Sequence, residues 1–207
     1  MSEFEGFSQP SITLLSGSTG SGKTSLMREF FLRNLIKKIH NIIILCEYPE
    51  ENPYEQITTM ALIQNPSAKK IKTDIKDLDS IVGDLDKSKI NFLFIDDKLN
   101  SNDFHLGKIA AVDSRHKNCT TFCITQNIFN DQKNFRHFRK QVRYFIIFTE
   151  SGDRSILTFL RSAFPECDFN FRALPKTKWI LCDKKENKFY KDIQILFLYL
   201  FLYLFIC

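Results

Sequence analysis

Along this chain, short runs of unbroken apolar residues alternate with segments whose apolar positions recur at helical spacing. Residues 11–17, SITLLSG, form the first run. Residues 41–47 (NIIILCE), 91–97 (NFLFIDD), 120–127 (TTFCITQN) and 144–150 (YFIIFTE) repeat it. Each has strand length and is apolar on both alternating sets, as a strand buried on both faces must be. After the first run, Leu26, Phe30, Phe31, Leu35 and Ile39 recur three to four residues apart and predict a helix. Residues 52–65 predict a second helix, opened by Pro53. Residues 65–77 read as a lysine-rich loop with a short strand near Ile71, and 77–88 as a short helix capped by Asp77 or Asp79. Further helices are predicted around 103–113, over roughly 130–141, and over 153–164, the last ended by Pro165. Residues 178–193 predict a terminal hairpin turning near 185–187. Buried-type strands alternating with helices predict an α/β fold: a mostly parallel sheet with helices on both faces.

Composition narrows this picture without changing it. The chain has 207 residues, with 21 Phe but 7 Gly and 6 Pro. That length supports one domain with a sizeable core, and the composition excludes a repeat array or a disordered chain. We assign residues 1–192 to this domain and 193–207 to an apolar tail. Six cysteines show no C-x-x-C pair and no matching histidine pair, so they read as free thiols of a reducing, intracellular compartment. The chain opens with no apolar segment behind a basic one, so no secretory leader is expected.

Charge is uneven. Residues 1–100 carry 12 Lys/Arg against 14 Asp/Glu; the remainder carries 17 against 10. Between 105 and 143, Lys108, Arg115, Lys117, Lys133, Arg136, Arg139, Lys140 and Arg143 are opposed by Asp113 and Asp131. Such a stretch is either a solvated surface or a face for a phosphate backbone.

The chemistry concentrates in SGSTGSGKTS, residues 16–25. Gly17, four residues, then Gly22-Lys23-Thr24 is the G-x-x-x-x-G-K-[ST] phosphate loop, between a predicted strand and a predicted helix as its geometry requires. Residues Gly17, Ser18, Thr19, Gly20, Ser21, Gly22, Lys23, Thr24 and Ser25 are the nucleotide-binding candidates. Backbone N–H groups and a helix N-terminus favour the phosphates of ATP, Lys23 would reach the β- and γ-phosphates, and Thr24 would ligate Mg²⁺. A second metal ligand should stand at the end of a buried strand, and FLFIDD supplies it. Asp96 is the metal candidate and Asp97 the residue to polarise an attacking water, although a turn or cap role also fits Asp97. The next strand ends in Gln126-Asn127; Gln126 before Asn127 is the candidate for sensing the γ-phosphate or orienting water, against a turn role. His40, His105, His116 and His137 are scattered and form no metal-ligand pattern.

In order, GSTGSGKT, FLFIDD, SRHKNCTTFCITQNIF and FRKQVRYFIIFTESGDRS resemble the DNA-packaging ATPases of eukaryotic DNA viruses and Polinton elements. These belong to the FtsK–HerA group of P-loop NTPases, together with the poxvirus packaging ATPase. The resemblance spans roughly residues 10–165, and residues 114–129 narrow it most. It implies the additional-strand type of P-loop fold with strand order 5-1-4-3-2, counting the five buried strands in chain order, and a C-terminal β-hairpin. It also implies a hexameric or pentameric ring that hydrolyses ATP with Mg²⁺ and threads double-stranded DNA into a capsid, in a host nucleus or cytoplasmic viral factory. Capsid proteins are then partners, and an arginine from one subunit would reach its neighbour's nucleotide. Arg136, Arg139 and Arg143 are the candidates, with Arg143 taken as the site residue and Arg115 a further one. A helicase, an AAA+ protein and a degenerate copy without turnover remain as rivals.

The chain closes on IQILFLYLFLYLFIC. As a helix this spans about 22 Å, short of the roughly 30 Å hydrocarbon core. It reads as a membrane anchor, as a sticky segment packed on protein, or as a non-native ending beyond a damaged frame.

Overall fold

The computed structural model describes residues 4–32, 39–47, 52–97, 108–109, 114–126, 128, 138–149, 154–165 and 178–191. Most of the helices predicted around 103–113 and over 130–141, together with Asn127 and the tail, lie outside these residues.

Among the described residues, eight strands form one sheet. In chain order they are β1 (Ile12–Ser16), β2 (Asn41–Leu45), β3 (Lys69–Lys72), β4 (Asn91–Asp96), β5 (Cys119–Thr125), β6 (Tyr144–Phe148), β7 (Trp179–Asp183) and β8 (Lys188–Lys191). The helices are α1 (Lys23–Leu32), α2 (Asn52–Gln64), α3 (Leu78–Gly83), the short turn α4 (Ser114–His116) and α5 (Arg154–Ala163). The sheet order is β3-β2-β4-β5-β1-β6-β7-β8. Its five central parallel strands, read from β6 to β2, keep the implied 5-1-4-3-2 order. The implied order stopped at those five. Here the sheet continues through β3, parallel at one edge, and through the antiparallel hairpin β7–β8 at the other.

The unbroken apolar runs work because successive side chains point to opposite faces and both faces are covered. On one face Leu15, Ile42, Ile44, Phe92, Phe94, Phe122, Ile124 and Ile146 meet Leu26, Met27, Phe30 and Phe31 of α1 and Tyr54, Ile57 and Ala61 of α2. On the other, Leu14, Ile43, Leu93, Ile95, Cys123, Phe145 and Ile147 meet Leu78 and Val82 of α3 and Phe159 and Leu160 of α5. Among the described residues more phenylalanines lie on the first face than on the second, and there the Phe92 and Phe122 rings stack at 5.2 Å. The chain's start joins them: Phe7 sits edge-on to Phe30, Phe122 and Tyr144 at 5.0–5.1 Å.

Two local expectations take definite form. Asp77 does occupy the N-cap position of α3, but its side chain makes no capping hydrogen bond, and Asp79 lies in the first turn. The strand near Ile71 is a true edge strand, and its Lys69, Lys70 and Lys72 suit an edge that must not pair with another chain.

Because β1, β4 and β5 are parallel neighbours or near-neighbours, their carboxyl ends emerge side by side, and the segments that follow them share one rim.

Candidate functional site

The loop after β1 is held by steric need. A Cβ at Gly17 would lie 2.7 Å from the Phe148 Cβ and 2.9 Å from the Ser21 hydroxyl, so the loop passes β6 too closely for any side chain. Gly20 (φ +77°) and Gly22 (φ +93°) adopt left-handed backbone that side chains disfavour. The Leu26 N–H makes the first α-helical bond, to the Gly22 carbonyl at 2.9 Å. The N–H groups of Lys23, Thr24 and Ser25 precede it and have no partner within the helix. The Ser21 hydroxyl is buried with no hydrogen-bond partner among the described residues. Amide donors without helical partners, an orphaned hydroxyl and close-turned glycines fit an anion with several oxygens.

Lys23 is 8% exposed, and its ammonium donates to the carbonyls of Gly17 and Ser18, both at 2.8 Å. Burial holds it below the usual lysine range, and the negative charges of Asp97 and Asp96 pull it partly back. The two carboxylates therefore act on the lysine across the rim, although they follow a strand two places away.

Asp96 ends β4, half-buried, and accepts a hydrogen bond from the Tyr54 hydroxyl of α2. Asp97 is exposed at φ 51°, a conformation that Asp tolerates better than most residues. Its N–H donates to the Ile124 carbonyl at 3.1 Å, which ties the turn to β5. The Gln126 side-chain amide donates to Asp97 Oδ2 at 2.9 Å. The Gly17 N–H reaches the Thr125 carbonyl at 3.3 Å, so the residue before Gln126 is joined to the phosphate loop. Gly17–Ser25, Asp96, Asp97 and Gln126 thus share one rim.

The donor set for a cation is the Thr24 hydroxyl and the Asp96 carboxylate, both hard oxygens. No group of three or more His, Cys, Asp or Glu side chains gathers among the described residues. Such a sparse set fits Mg²⁺, which commonly keeps waters and takes phosphate oxygens.

Arg143 does not join this rim. It precedes β6 at the amino edge, where its N–H donates to the Ile12 carbonyl. Its guanidinium forks onto Asp183 at 3.2 and 3.0 Å and donates to Ser8 at 2.7 Å. Within its own chain it anchors β7 to β6, at the opposite end of the strands from this subunit's phosphate loop; the role expected of it concerned a neighbouring subunit's nucleotide. Arg139 donates to the Ile128 carbonyl at 2.8 Å and lies over the Phe159 ring. Arg115, in α4, is exposed at the same amino edge, and Arg136 lies outside the described residues.

Two residues near the rim escaped the sequence reading. Tyr54 sits inside an ordinary amphipathic helix, and nothing local ties it to Asp96. Lys178 has its ammonium 3.8 Å from where a Gly22 Cβ would stand. A search for polar residues at strand ends passes over it, because it stands before a strand. The available signal was the hairpin: an antiparallel neighbour of β6 begins at the edge where β6 ends.

No family model matches the chain, and no curated protein matches it in sequence. Solved structures do. The genome packaging NTPase B204 from Sulfolobus turreted icosahedral virus 2, in complex with AMPPCP, aligns with a TM-score of 0.59 at 17% identity, over 88% of this chain and 96% of that one. Its complex with AMP gives 0.58 at 16% identity, over 87% and 96%. EssC (ATPases 2 and 3) from Geobacillus thermodenitrificans gives 0.50 at 12% identity, over 84% of this chain and 37% of that one. A Gly-rich loop between a central parallel strand and a helix, a carboxylate-tipped strand two places away, and this likeness over nearly the whole of B204 give the chain the fold of the P-loop NTPases.

Proposed function

We propose that this chain is an ATP-hydrolysing motor that moves double-stranded DNA, as in genome packaging into a viral or virus-like capsid. The observation that carries the reading is the shared rim: the phosphate loop, Asp96 and the Gln126–Asp97 pair meet at the carboxyl ends of β1, β4 and β5. The likeness in fold to B204, described as a genome packaging NTPase, supports the choice among P-loop enzymes.

In this reading the loop amides and Lys23 hold the triphosphate and neutralise charge that builds on it. Thr24 and Asp96 would hold Mg²⁺, which supplies Lewis-acid stabilisation of the transferring phosphoryl group. Asp97 and Gln126 orient and polarise the water, and their hydrogen bond fixes the two side chains relative to each other. The bond from Gly17 to Thr125 couples the water-handling strand to the loop. The basic residues of the second half grip the phosphate backbone without regard to sequence. Assembly into a ring, with an arginine supplied by the neighbouring subunit, belongs to the same proposal, as does association with a capsid.

The test is the ATPase rate of the purified chain with and without double-stranded DNA, alongside light scattering. The expected result is hydrolysis stimulated by duplex DNA and abolished by Lys23→Ala. Hydrolysis that survives Lys23→Ala overturns the site. Hydrolysis indifferent to duplex DNA, or robust unwinding of a forked duplex, overturns the translocase.

A further inference from the structure

We propose that Lys178 is a second phosphate-contacting lysine, reaching the phosphoanhydride end of the nucleotide from the C-terminal hairpin. The inference rests on the nucleotide-site reading above and extends it to a residue outside the loop motif.

Sheet order makes the contact possible. The loop follows β1. Two strands away on one side, β4 ends in the carboxylates of Asp96 and Asp97. Two strands away on the other side lies β7, which is antiparallel. Its start, not its end, therefore lies on the rim, and the residue before that start is Lys178. The pairing is fixed: Trp179 stands opposite Phe148, and the Thr149 N–H donates to the Lys178 carbonyl at 3.1 Å.

Lysine and loop are positioned by the same packing. Phe148 is the residue that Gly17 passes too closely for a side chain. The Trp179 ring lies edge-on to Phe30 of α1, the helix that the loop opens, with centroids 6.2 Å apart. The Lys178 ammonium ends beside Gly22, where a bare, left-handed glycine leaves the approach open. Lys178 is exposed and makes no ion pair or side-chain hydrogen bond with a described residue. Lys23, by contrast, is engaged by two loop carbonyls. The rim thus has an acidic side suited to metal and water and a basic side suited to phosphate oxygens. An ammonium is a point charge with three donors, so it serves one or two such oxygens without a fixed fork geometry.

The experiment is equilibrium titration of fluorescent ATP, ADP and AMP analogues onto the full chain, at low and at high salt. Lys178→Ala, Lys178→Arg and Lys23→Ala are compared with wild type. Lys178→Ala is expected to weaken ATP binding about tenfold, and AMP binding by less than about twofold, with the gap narrowing in high salt. Lys178→Arg is expected to restore most of the ATP affinity. The melting temperature of Lys178→Ala without nucleotide should match wild type, because the side chain is exposed. If Lys178→Ala binds ATP as wild type does while Lys23→Ala loses it, the second lysine is wrong and the site stands. If all three nucleotides weaken equally, Lys178 does not read the phosphoanhydride, and the inference fails. If Lys23→Ala binds ATP unchanged, the nucleotide site itself is wrong, and Lys178 falls with it.

Discussion

The two edges of the sheet use similar residues to opposite ends. At the amino edge charges and amides are closed on one another. Arg143 forks onto Asp183, which is 3% exposed and also accepts the N–H groups of Lys185 and Glu186. Fully buried Asn91 donates to the carbonyls of Asp86, Lys89 and Lys117 and accepts from Asn41, pinning the entries of β2, β4 and β5 together. At the carboxyl edge the charges meet neutral groups instead: the Tyr54 hydroxyl on Asp96, the Gln126 amide on Asp97 and two loop carbonyls on Lys23. Lys178 has no carboxylate partner among the described residues, Gln126 and Asp97 are exposed, and the first-turn amides of α1 have no partner within the helix. Closed polar groups fix strand register; open ones keep binding capacity for something outside the chain. Residue type alone does not separate the two, since an arginine beside an aspartate looks equally functional in either place.

That contrast can be broken by moving function to one edge and stability to the other. The largest effect is expected for Asp96→Asn, which should lower Mg²⁺-dependent ATP hydrolysis by about 10³-fold while leaving the melting temperature nearly unchanged; a strongly destabilised variant would show that the carboxyl edge also holds the fold. Asp183→Ala should do the reverse. Stranding Arg143 and the turn amides costs about 3 kcal/mol, or roughly 6–12 °C in melting temperature for a chain of this size. Nucleotide affinity measured below the transition should not change, and a loss of ATP binding without destabilisation would mean that the Arg143–Asp183 pair serves the nucleotide site rather than the fold. Tyr54→Phe sharpens the boundary between the two roles. The ring keeps its place against Phe94, at 5.9 Å, while Asp96 loses its donor. The Mg²⁺ concentration needed for half-maximal hydrolysis should rise about tenfold.

The smallest effect is a pH dependence. Lys23 has its folded pKa lowered by burial, so between that value and its ordinary 10.5 the unfolded chain holds more protons. Stability therefore rises with pH across that window. Urea titrations from pH 7 to 10.5 should show wild type gaining on Lys23→Met as pH increases, whereas a constant difference would mean that the loop does not desolvate the ammonium.

Much of the nucleotide rim was legible in the chain because each part is local. The glycine spacing of residues 17–22 encodes a turn, FLFIDD encodes a strand with acid at its tip, and TTFCITQN a strand with an amide at its tip. The alternation of apolar runs with helical periods encoded a parallel sheet, and so implied that those tips share an edge. The same logic did not show what Arg143 meets within its own chain, because the pattern places it beside a strand without saying which carboxylate returns to meet it.

Sequence by itself determined the loop conformation, the buried strands and the residues that could serve a triphosphate, since these depend on neighbours a few positions apart. Tertiary structure alone decided that Arg143 is consumed by Asp183, 40 residues on, that Tyr54 holds Asp96, and that an antiparallel β7 delivers Lys178 to Gly22. Those outcomes depend on which distant strands pair and in which direction. Pairing direction is set by how the whole sheet buries its two faces, and no short stretch of chain carries it.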